Sequence, residues 1–191
     1  MRGCGCFLVL GVIVIAAVVL VMATLRGPEL RPVPTSHVQA MSAETKLTAV
    51  SAAFTKAKQT GQPVAFTETF TDGELSSLVN EHISASGVPL DGVILHSNAA
   101  GYVEGQAKAR FAGQTLPVYL RANVVVKDGQ ASLHLVQSKL GFAPVPSQVS
   151  SQIDAALRQS VNLGTQAPID NLKVVIGDGA LTLAGVAKPA P

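Results

Sequence analysis

Hydrophobic and polar positions change period along this chain, and each change marks an element. Residues 7–23, FLVLGVIVIAAVVLVMA, have no polar period at all, since no side chain among them is charged or polar. As a helix, at ~1.5 Å per residue, they would reach roughly 26 Å, close to the hydrocarbon thickness of a bilayer. Twelve of them are Phe, Leu, Ile or Val. At about −0.4 kcal/mol each these favour insertion by roughly 5 kcal/mol. The run exceeds a cleavable signal core of about 7–15 residues, so residues 1–25 are expected to be an uncleaved single-span anchor. Three prolines then stiffen RGPELRPVPTS, and residues 26–36 are expected to be a linker.

A three-four period follows. Ala40, Ala43, Leu47, Val50, Phe54 and Ala57 fall on one stripe, with Lys46, Thr48, Ser51, Thr55 and Lys56 opposite. Ser36 and Gln39 have capping-box spacing, and Gly61 and Pro63 stop the run, which predicts an amphipathic helix over 37–62. The period then drops to two in VAFTETFT, where Glu68 shares a side with Phe66 and Phe70 and reads as an inward charge guarding an edge strand. TDGE, Thr71 to Glu74, is a second capping box, and its helix is expected to bury Leu75, Leu78 and Val79 with His82 or Ile83 before stopping near Gly87 and Pro89.

Strand patterns dominate from there: GVILHS, YVEGQAKARF, LPVYLRANVVVK and QASLHLVQSKL, the last two joined by Asp128-Gly129. The apolar side of YVEGQAKARF is mostly Gly and Ala, which invites either a closely packed helix or a space. LGFAPVPSQV reads as a stiff corner, and Ser147 caps a helix with Val149, Ile153, Ala156, Leu157 and Val161 inward. A final hairpin, NLKVVI-GDG-ALTLAGV, turns on Asp178-Gly179. The expected class is α+β: an N-terminal transmembrane helix, then a curved, mainly antiparallel sheet packed against amphipathic helices, with the sheet domain over 63–188.

Charge narrows the function. From Pro32 onward eleven Lys/Arg balance eleven Asp/Glu, so the overall +2 comes from residues near the anchor. A neutral body without a basic run is not built for nucleic acid. Both cysteines, Cys4 and Cys6, precede the apolar run, so no disulfide is expected in the body. There is no G-x-S-x-G, H-E-x-x-H, C-x-x-C or glycine-rich phosphate loop. His37, His82, His96 and His134 are isolated, and Asp72, Asp128 and Asp178 sit in caps and turns. The expected protein is therefore no enzyme and takes neither cofactor nor metal.

Three segments carry a resemblance: FTDGELSSLVNEHI, the stretch from LPVYLRANVVVK through FAPVPSQVSSQIDAAL, and NLKVVIGDGALTLAGV. Together they resemble YpmS-like, uncharacterised single-span bacterial envelope proteins, and more distantly the tubular lipid-binding domains (BPI/SMP-like and LmeA-like). The resemblance covers about residues 64–187. It implies a curved sheet wrapped on a helix with an apolar groove. The body is expected outside the cytoplasm, at the cell membrane, because the anchor resembles a signal sequence. Here a long helix is added before the domain, and the body is shorter than a full tubular carrier. A lipid or other apolar ligand would meet Leu75, Leu78, Val79, Phe142, Val149, Ile153 and Leu157. The alternative is a structural or protein-interaction module of the envelope, with the 37–62 helix presented to an envelope protein partner.

Overall fold

The computed structural model describes residues 30–86, 90–111, 114–127, 130–140, 143–144 and 169–189. The expected anchor and the expected helix from Ser147 lie outside them. Helix α1 (His37–Thr60) leads into strand β1 (Val64–Thr71) and helix α2 (Asp72–Ser86). Strands β2 (Leu90–Asn98), β3 (Tyr102–Phe111), β4 (Gln114–Lys127), β5 (Gln130–Leu140) and β6 (Ala143–Pro144) follow, then β7 (Ile169–Ile176) and β8 (Ala180–Ala187). The class is α+β and every pairing is antiparallel. In place of the one curved sheet expected there are two, β1-β8-β7 and β2-β3-β4-β5-β6. Helix α2 is the physical reason: it lies between β1 and β2 in sequence and carries the chain from one sheet to the other.

The main core forms where α1 lies on the three-stranded sheet. Ala43, Val50, Ala53 and Ala57 face Phe66, Phe70, Ile169, Leu172, Leu183 and Ala187, and Ala131 joins them from β5. Alanines on this face let the helix axis approach the strands, and Phe54 and Phe66 fill the remaining width with ring centroids 5.7 Å apart. The buried stripe differs from the expected one at two places. Ala53 is buried, while Leu47 is exposed. Lys46 takes the inward direction in place of Leu47, drawn by Glu74 at 2.7 Å. Gly61 ends α1 at φ 66° and donates its N–H to Ala57 O, a left-handed cap.

Strand β1 is an edge, as the inward Glu68 suggests: it pairs only with β8, and Glu68 lies half-buried between Phe66 and Phe70. The prolines of the corner are expected to block further strand pairing, but Ala143 and Pro144 pair back onto Leu140 and Lys139. A proline is tolerated there since the outermost strand needs no N–H on its open side.

Gly185 on β8 sets the fit of the core. A Cβ there would lie 2.9 Å from Ile169 Cγ2 and 3.0 Å from Phe66 Cζ, closer than packed carbons allow. Gly185→Val is therefore expected to cost about 1–3 kcal/mol through overpacking. Gly177→Ala, whose Cβ would meet only Ala180 O at 3.6 Å, should be near neutral. Equal melting temperatures for the two variants would contradict this account.

Candidate functional site

Helix α2 lies along the outer edge of β2 and seals it with a ladder of side chains. Asn80 Oδ1 accepts from Val93 N at 2.8 Å and Asn80 Nδ2 donates to Val93 O at 2.7 Å. Ser76 Oγ accepts from Leu95 N at 2.8 Å. Asp72 Oδ1 accepts from Ser97 N at 2.8 Å, and the N–H of Gly179 in the β7–β8 turn completes the set by donating to Ser97 O at 2.9 Å. The spacing explains why this works. Four helical residues rise ~6.0 Å and two strand residues ~6.7 Å, so positions 72, 76 and 80 meet alternate peptides of an antiparallel strand. Edges of this kind otherwise invite pairing with another chain.

Thr71 and Glu74 start α2 as the capping-box spacing predicts: Glu74 N donates to Thr71 Oγ1 at 3.2 Å and Thr71 N to Glu74 Oε2 at 2.8 Å. Glu74 also takes Lys46 Nζ and the Ser42 hydroxyl from α1. Burial pushes its carboxyl up, but Lys46, Ser42 and Thr71 outweigh burial and hold it at about 2. The box at Ser36 is only half made. Ser36 Oγ accepts from Gln39 N, while Ser36 N donates to Ser77 Oγ of α2. Gln39 instead lies over Gly73, where a Cβ would stand 2.8 Å from its Nε2.

At the end of the ladder Asp72 holds His96, with Nδ1 at 2.6 Å from Oδ2. The other ring nitrogen points to Asp178 Oδ1 at 3.8 Å. Strand register then continues the polar row: His96 lies opposite Glu104, and Glu104 opposite Arg121. Glu104 Oε1 accepts from the Tyr119 hydroxyl at 2.6 Å and from Arg121 Nε at 2.8 Å. Burial pushes Glu104 up, but these two donors outweigh it and keep its carboxyl below the ordinary range. Burial and the bond to Glu104 raise Tyr119 in turn. The Arg121 guanidinium stacks on Tyr102, 5.1 Å from the ring centre. Leu30, where the linker enters the domain, donates its N–H to Gln106 Oε1 on the same face.

An acid–histidine pair is half of a nucleophilic apparatus, and the hydroxyl nearest to it in the strand does not complete it. Ser97, next in the strand, is buried with its hydroxyl unpartnered and points to the opposite side of the sheet from His96. The acid, tyrosine and arginine satisfy one another. The arrangement joins α2, β2 and the β7–β8 turn. Among the described residues no group of three or more His, Cys, Asp or Glu could hold a metal ion.

Of the residues expected to line an apolar groove, Leu75 and Leu78 pack against the main core and Val79 is half-buried. Phe142, Val149, Ile153 and Leu157 lie outside the described residues. The recess beside the core, lined by Val50, Phe54, Phe66, Ile169, Leu172 and Leu183, holds about 10 Å³, no more than one water-sized sphere. The space invited by the Gly/Ala side of β3 is taken at Gly105 by Leu95, whose Cδ2 lies 3.4 Å from where a Cβ on that glycine would stand. Helix α2 runs along β2 rather than beneath β3.

Local pattern alone assigns Asp72 to a cap and leaves His96 an isolated histidine. The signal that joins them is the D-x-x-x-S-x-x-x-N spacing of α2 beside a strand of alternating residues. His37 pairs with Glu81, His82 with Leu78 O and His134 with Ser132. Among the described residues no helix is long and apolar enough to cross a membrane. The chain matches no family model and no curated protein.

Proposed function

We propose that this protein is a membrane-anchored domain, held outside the cytoplasm by its amino-terminal apolar run, that serves the cell envelope as a structural or interaction module without catalysis. The observation that carries this reading is that the polar side chains gathered along α2 and the β2–β4 face are engaged with backbone or with one another. Asp72, Ser76 and Asn80 close a strand edge, Glu74 fastens α1 to α2, and Glu104 joins Tyr119 to Arg121. Groups used in this way make a rigid body on a tether. The resemblance to YpmS-like envelope proteins agrees with the anchor and the placement. A second reading, capture of a lipid or other apolar group, draws on Leu116, Val118 and Leu120, which are half-buried and stand outside the main core cluster.

Expressed with its amino-terminal segment, the protein is expected to stay in the membrane through alkaline carbonate extraction, and protease added to intact cells should remove the body. A body still shielded from protease once every barrier outside the cytoplasmic membrane is opened would refute the placement. Native mass spectrometry of the full chain released from detergent should give the mass of the polypeptide alone. Retention of an acyl-chain mass would overturn the module reading in favour of the carrier.

A further inference from the structure

The inward face of α1 is used by its own domain, yet the helix carries a second periodic face. Val38, Met41, Thr45, Thr48, Ala52 and Thr55 recur at alternating spacings of three and four, and all six are exposed, Val38 and Met41 at 75% and 54%. That is the a/d period of a coiled-coil seam. Each of the three threonine hydroxyls spends its hydrogen within the helix. Thr45 Oγ1 donates to Met41 O, Thr48 Oγ1 to Glu44 O and Thr55 Oγ1 to Ser51 O, each within the helix. Their methyl groups are left to continue the apolar line begun by Val38 and Met41.

We infer that this face is a seam between two copies of the chain, with their α1 helices side by side and parallel. Two features of the chain select a second copy as the occupant, and its tether sets where the copies pair. The seam begins at the second residue after the linker, and copies anchored in one bilayer present it in the same direction and at the same height. The flanking residues that would face each other in a parallel pair are Glu44 with Ala49 and Ser51 with Lys56, so no like charges meet. Under three heptads is too short for a free coiled coil, but tethering converts the encounter into one at high effective concentration, so pairing belongs to the bilayer and not to dilute solution. The inference rests on the anchored-module reading and names its partner.

The test uses the full chain in lipid vesicles, with Cys4→Ser and Cys6→Ser to remove the native thiols. Single substitutions Met41→Cys, Thr45→Cys, Thr48→Cys and Ala52→Cys probe the seam, and Lys173→Cys, exposed on β7, reports random collision. Oxidation is expected to cross-link the seam positions several-fold more than Lys173→Cys. In a cysteine-free chain labelled for energy transfer, Thr48→Glu should lower the dimer signal about tenfold with an unchanged melting curve. Seam cross-linking no better than at Lys173 overturns the inference. Seam thiols shielded from an aqueous maleimide without cross-linking also overturn it, and give the stripe to the lipid surface or another protein. If carbonate releases the chain, the anchor reading has failed and the seam falls with it, whereas a retained chain without seam cross-links overturns the seam alone.

Discussion

Asp72→Ala is expected to destabilise the domain by about 3–5 kcal/mol, a large part of the stability of a typical domain. The substitution leaves the buried N–H of Ser97 without its acceptor and His96 without its carboxylate. It also removes an acid from the first turn of α2, where the helix dipole favours one. Asp72→Asn separates these effects. Its amide oxygen can still accept from Ser97 N, so the ladder persists and the cost should fall to about 1 kcal/mol. Urea unfolding of the two variants gives the comparison, and hydrogen exchange at Val93, Leu95 and Ser97 locates the loss. A cost under about 1 kcal/mol for Asp72→Ala would mean that α2 does not seal the β2 edge through this side chain.

The second large effect is loss of stability in acid, centred on Glu74. Its carboxyl titrates at about 2 in the folded chain, against 4.5 for an ordinary glutamate. The folded value is the lower one. The associated stability is therefore complete above pH 4.5, declines as pH falls below it, and is gone once pH passes the folded value near 2. The difference corresponds to about 3 kcal/mol. Glu104, also held low by its donors, adds to the same slope in the same direction. Urea midpoints measured from about pH 6 to about pH 2 should fall steeply in the native chain and much less in Glu74→Gln, which will be weaker than the native chain at the upper end. Parallel slopes in the two proteins would show that the Lys46–Glu74 fastening does not carry the acid sensitivity.

Both predictions turn on contacts between elements that periodicity places well one at a time. The bounds of β3 and β5 follow the alternation of YVEGQAKARF and QASLHLVQSKL. The Thr71–Glu74 box and the Gly61 stop are likewise local, because each motif satisfies backbone groups within a few residues of itself. Glu104 and Arg121 show where local reasoning ends. Their meeting requires Phe111 to lie opposite Gln114, and a slip of one residue would turn the row to the other face. Periodicity locates each strand but not the turn that sets this register. Lys46 gives the same lesson in the other direction: hydrophobicity favours Leu47 inward, but a buried carboxylate on a neighbouring helix is the stronger attraction.

Composition and interactions a few residues long suffice for the apolar run of 7–23, the neutral body, the α+β class, the Thr71–Glu74 cap and the order of the described helices and strands other than β6. Packing in three dimensions was needed to divide the strands into two sheets, to lay α2 along an edge where its rise matches that of a strand, and to bring Asp72, His96, Glu104, Tyr119 and Arg121 into one row. It also turned Lys46 inward on α1 in place of Leu47. One cause is common to these: each depends on the relative placement of segments distant along the chain, which burial of the whole set of elements selects and no single period encodes.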